Sequence, residues 1–128
     1  MKPGFQKYIP FQPQPIENRT WPDNTITKAP IWCSVDLRAG NQALVAPMNM
    51  QEKLAYFHTL VDIGIKEIEI GFPAASQIEY DFLRQLVERR KLQPDTLVQV
   101  LSQCREEQIE RTFQSIEGCS QAIVHIYN

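Results

Sequence analysis

The sequence predicts an α/β fold made of parallel β/α units, about the first half of a TIM (β/α)₈ barrel, behind an extended Pro-rich N-terminal arm. Strand-like and helix-period runs alternate as β-α-β-α-β-α-β at roughly 30-residue spacing, which argues for parallel strands joined by crossovers. Six prolines fall at Pro3, Pro10, Pro13, Pro15, Pro22 and Pro30, ahead of the first strand. The run Ile65 to Phe72, IKEIEIGF, alternates isoleucine with glutamate. That pattern is unusual for a parallel strand covered on both faces, but it suits a barrel strand whose inner face turns polar near the mouth. Eight such units occupy about 250 residues, so 128 residues hold about half.

Residues 1–30 form the arm and 31–128 the partial barrel. The prolines forbid a continuous helix and bias their predecessors toward extended backbone. Phe5, Tyr8, Ile9, Phe11, Ile16 and Trp21 make the arm too apolar for a free linker. It reads as a strap across another surface, in the same chain or a neighbour; a disordered tail is the alternative.

Ile31 to Val35 reads as a buried strand entered from Pro30. Asp36 to Gln42 follows as a polar turn in which Gly40 lets the backbone reverse. Arg38, Asn41 and Gln42 then stand just past a strand's C-terminal end, where ligands bind in parallel α/β folds. An ordinary solvated loop is the other reading. Met50 to Gly64 is a helix burying Leu54, Phe57 and Val61, with Leu60 on the flank, while Gln51, Glu52 and Lys53 face water. Asn49 with Glu52 has capping-box spacing and Gly64 closes the helix. His58 is a surface or packing histidine. In the strand that follows, Glu69 points into the mouth of a barrel or, on an edge strand, into solvent.

Ser76 to Leu92 is the second helix, with Ile78, Phe82, Leu83, Leu86 and Val87 as its buried stripe and Ser76 with Glu79 as a capping box. Glu88 to Lys91 is a solvated charge run. Thr96 to Leu101 is the third strand and Gln103 to Arg105 its loop. Glu106 to Glu117 is the third helix, burying Ile109, Phe113 and Ile116. Ala122 to Ile126 begins the fourth strand, and His125 there is either a core histidine or, near the strand's C-terminal end, a site residue.

Composition narrows the function classes. A net charge of −2 offers no basic field for nucleic acid or anionic membrane. No apolar run approaches the ~20 residues that span a bilayer. Cys33, Cys104 and Cys119 are odd in number and far apart, which argues against zinc and disulfide frameworks and for a reduced, cytoplasmic setting. Neither a Walker loop nor a GxGxxG run is present.

The segments NRTWPDNTITKAPIWCSVDLRAGNQAL, KEIEIGFPAASQ, VQVLSQCREEQIERTF and AIVHIYN resemble the long form of 2-isopropylmalate synthase, over nearly the whole chain. That resemblance implies a (β/α)₈ barrel condensing acetyl-CoA with 2-oxoisovalerate in leucine biosynthesis. It also implies a divalent metal (Mg or Mn) and a homodimer with a leucine-binding region. Arg38 matches the arginine of the family's LRDGNQ run, where its guanidinium would stabilise charge developing on the keto oxygen. Gln42 ends that run and would share the pocket. His125 matches the histidine of a VHxYN segment placed to touch the keto acid. Glu69 matches a site-facing glutamate of related barrel lyases and synthases, so the resemblance gives Arg38 and Glu69 catalytic roles.

Two departures qualify it. The family's Asp after the arginine, a metal ligand, is Ala39 here, and a methyl group cannot coordinate Mg²⁺ or Mn²⁺. The family's HxH metal pair and the later strands lie beyond Asn128. The expectation is therefore a chain that binds no metal and is inactive alone. Its open sheet edge invites self-association or pairing with a synthase. The alternative is a non-catalytic binding or assembly module that keeps Arg38 and His125.

Overall fold

The computed structural model describes residues 3–9, 11–12, 14–18, 20–21, 24, 26–89 and 92–128. Pro10, Pro13 and Pro22 of the expected arm, the side chain of Phe5, and Arg90 and Lys91 of the charge run lie outside them. The chain divides into two units, Met1–Pro30 and Ile31–Asn128. In the first, a 3₁₀ turn spans Gly4–Lys7, and Tyr8, Ile9, Phe11, Ile16 and Trp21 are exposed.

The second unit runs β1 (Cys33–Ser34), a π-helical turn (Asp36–Gly40), α1 (Met50–Asp62), β2 (Glu67–Gly71), α2 (Gln77–Glu88), β3 (Leu97–Gln103), α3 (Glu106–Ile116) and β4 (Ala122–Tyr127). The four strands form one parallel sheet in the order β1-β2-β3-β4. A sheet in sequential order with a helix between consecutive strands is the β/α repeat of a partial barrel.

Each helix starts and stops for local reasons. Asn49 caps α1 by accepting the Gln51 and Glu52 N–H groups, and the Glu52 carboxylate returns to the Asn49 N–H. At its other end Gly64 takes φ +93°, so the Ile65 N–H reaches the Leu60 carbonyl and the Gly64 N–H that of Val61. This is the paired closure that a left-handed residue permits. The α2 start departs from expectation. Ser76 makes no side-chain cap; its own N–H goes to the Phe72 carbonyl, and the Glu79 carboxylate turns to the Phe72 N–H and to Lys53.

The core is one cluster between sheet and helices. Ile68 and Ile70 of β2 and Val98 and Val100 of β3 meet Phe57, Leu60, Phe82, Leu83 and Leu86. Each such side chain contributes about 1.5–3 kcal/mol when fully buried. Strand residues alternate faces, so Glu69 lies on the face opposite this cluster.

Several expectations about burial are corrected. The strand β1 is two residues long, and Ile31 and Trp32 are exposed. Its apolar neighbours find no cover in this sheet, where only β2 flanks it. Lys53, expected in water, is fully buried. Ile78 and Phe113 are exposed. On α3 the small side chains Thr112 and Ser115 are buried instead, since the helix rests closely on its neighbours through that face.

Candidate active site at the strand ends

The turn after β1 is built by short-range bonds. The Ser34 hydroxyl donates to Asp36 Oδ2 at 2.6 Å, and the Arg38 and Gly40 N–H groups both reach the Val35 carbonyl at 3.2 Å. Leu37 is driven into the core, with no exposed surface. That anchor leaves Arg38 directed across to β2, where its Nη2 lies 3.0 Å from Glu69 Oε2. The Glu69 side chain is 1% exposed and that of Arg38 24%. The pair is close but poorly aligned: neither Glu69 oxygen nor Arg38 Nε has a hydrogen-bond partner among the described residues. We read it as a charge contact whose donors and acceptors retain capacity for a bound group.

Asn41 is buried and its Oδ1 accepts the Met48 N–H at 2.7 Å, which fastens the loop after the turn. A cavity of about 390 Å³ opens beside it, lined among others by Arg38, Asn41, Gln42, Lys53, Phe72 and Ser76. Its walls are the β1–α1 and β2–α2 loops, at the C-terminal ends of the strands. A larger groove of about 540 Å³, lined by residues of α1 and α2 and by Arg89, holds none of the residues singled out from sequence.

Arg38 is therefore paired with Glu69 and shares the cavity lining with Gln42. His125 is not in contact with them: it is exposed on β4, two strands from β2. Register nevertheless puts it on their side of the sheet, because Glu69 pairs with Gln99 and His125 with Leu101. At the far strand ends Gln103 Nε2 donates to the Tyr127 hydroxyl at 2.8 Å. The rings of Tyr127 and Phe72 meet edge to face with centroids 6.2 Å apart. Burial, helped by the charges of Glu67 and Glu69, pushes the Cys33 thiol up from its ordinary value.

Two functional candidates escape a reading of the sequence, Lys53 and Glu79, which pair at 3.3 Å on the floor of the cavity. A signal exists for the first. Lys53, Phe57 and Leu60 follow i, i+4, i+7 spacing, which places the lysine on the apolar stripe.

A divalent metal needs several oxygen or nitrogen donors. Among the described residues no group of three or more His, Cys, Asp or Glu is placed to hold one, and residue 39 presents only a methyl group. Among the described residues the donors present do not fit such an ion.

Parallel β/α units in sequential order define a partial β/α barrel, a fold whose ligand sites in general lie at the C-terminal ends of the strands. The sequence comparisons narrow the class. The HMGL-like family profile matches residues 29–128, and the chain belongs to that family. It is 59% identical over 123 residues to the 2-isopropylmalate synthase of Rhodospirillum rubrum, covering 96% of this chain and 22% of that protein. The enzymes of the same name from Azotobacter vinelandii and Clostridium acetobutylicum are 52% and 54% identical, over 100% and 97% of this chain and 23% and 22% of theirs. The chain thus spans about 22% of the length of the curated relatives it matches. No described helix is long and apolar enough to cross a membrane.

Proposed function

We propose that these residues supply part of the keto-acid side of a 2-isopropylmalate synthase active site. The reaction is the condensation of acetyl-CoA with 2-oxoisovalerate, an acyl transfer in leucine biosynthesis carried out in the cytoplasm. The buried Glu69 beside Arg38 at the strand ends is the observation that carries this reading, together with the 52–59% identities. In the mechanism Arg38 directs its remaining guanidinium donors at the keto oxygen. As the enolised acetyl group attacks, negative charge grows on that oxygen and the fixed cation offsets it. Glu69 holds the guanidinium in place, and the Gln42 amide binds a polar edge of the keto acid. His125, on the same face of the sheet, approaches the acid's carboxylate from β4.

The 128 residues alone are expected to bind the keto acid without turning it over. The β4 edge, with Ile126 and Tyr127 exposed, is the surface through which a second copy or the rest of a synthase would complete the sheet. Titration calorimetry with 2-oxoisovalerate tests the binding claim: wild type releases heat and Arg38→Ala does not. No heat from wild type would sink it. Thiol release from acetyl-CoA with that keto acid, by the purified chain, would overturn the claim of inactivity.

A further inference from the structure

Among the described residues, one of the largest fully buried side chains is a cation. Lys53 on α1 has its Nζ 3.3 Å from Glu79 Oε1 and 5.4 Å above the centroid of Phe82. The other Glu79 oxygen accepts the Phe72 N–H just past β2. Gly71, next to it, leaves room for that carboxylate: a Cβ there would lie 2.7 Å from Glu79 Cδ and Oε2. One carboxylate so joins α1, α2 and the end of β2. Replacing a buried ion pair by well-packed apolar residues is often neutral or stabilising, so stability alone does not account for this pair. An apolar pair cannot hold the direction of a backbone N–H. Phe72 is three residues beyond Glu69, its ring meets Tyr127, and with Ala75 and Ser76 it walls the cavity that Arg38 and Gln42 also line.

We propose that Lys53 and Glu79 are a positioning pair. Lys53 fixes the Glu79 carboxylate, and the carboxylate clamps the Phe72 amide, which sets the β2–α2 loop against the Arg38–Glu69 site. The functional part rests on the keto-acid reading above; the positioning part does not.

The test compares Lys53→Met/Glu79→Leu with Lys53→Met/Glu79→Gln in the full chain. Both remove the buried charges, and only the second keeps an acceptor for the Phe72 N–H. Amide hydrogen exchange at Phe72, read by NMR beside urea unfolding, should be about tenfold faster or more in the Leu variant at comparable global stability. The Gln variant should fall between it and wild type. Equal Phe72 protection in both variants overturns the proposal. If the Leu variant does not fold, Glu79→Gln alone decides: a few-fold loss of protection supports the clamp and none overturns it. Affinity for 2-oxoisovalerate should fall with Phe72 protection. Wild type that binds no keto acid, with the exchange pattern intact, refutes the active-site reading and leaves the positioning role standing.

Discussion

Arg38 and Glu69 face each other at 3.0 Å across the ends of the first two strands, the glutamate buried and the arginine a quarter exposed. The asymmetry decides which partner is costlier to remove. Loss of one member of a buried pair costs about 3–5 kcal/mol, because the survivor stays charged without compensation. Arg38→Ala strands the buried carboxylate and should fall at the low end of that range, given the solvent already near the guanidinium. Glu69→Gln leaves an arginine that reaches water, and should cost less. Urea unfolding of the two variants checks the order; a reversed order would mean the carboxylate is compensated elsewhere.

Two glycines with different surroundings make a second comparison. At Gly64, φ is +93° and a Cβ would meet nothing within 4 Å, so Gly64→Ala carries only the left-handed backbone cost of about 1–2 kcal/mol. Gly71→Ala drives a methyl group into the Glu79 carboxylate at 2.7 Å. Overpacking of that kind costs about 1–3 kcal/mol, and here it also displaces the Phe72 clamp. Gly71→Ala should therefore loosen Phe72 exchange, whereas Gly64→Ala should leave it untouched.

Thiol chemistry should follow burial. Cys104 is exposed, while Cys33 and Cys119 are half-buried, and burial pushes both of the latter thiols up. A raised value means less thiolate at neutral pH than the ordinary cysteine value of about 8.5 would allow. Cys104 should react first with a disulfide reagent at pH 7, and the other two should follow only at more alkaline pH. The linked stability has the same sign: it is present below the unfolded thiol value and lost as pH rises through the folded one. Equal rates for all three at pH 7 would contradict this.

Ala39 invites a simple restoration. Ala39→Asp adds one carboxylate to a region where no group of three donors stands ready among the described residues. A hard divalent cation needs about six oxygen ligands, so calorimetry with Mn²⁺ should show no stoichiometric tight site in this variant. A tight site would mean that donors outside the β1 turn already converge there.

Alternation of strand and helix, the α1 cap at Asn49, the closure at Gly64 and the stripe of Phe82, Leu83 and Leu86 could all be read from the sequence. Each depends on residues a few positions apart, where spacing and backbone preference act directly. So could the nearness of Arg38 to a strand end. What the sequence could not decide was which charges go inside. Lys53 shares a stripe with Phe57 and Leu60, but nothing along its own helix supplies the counter-charge, which comes from Glu79, 26 residues away. Ser76 and Glu79 have capping-box spacing, yet Lys53 and the Phe72 N–H draw that carboxylate away. Ile31, Trp32, Ile78 and Phe113 are apolar but exposed, because burial needs a facing surface and spacing along the chain does not provide one. Local order was thus determined by the sequence itself. The partners of the buried charges, and with them the shape of the site, were decided only when distant segments met.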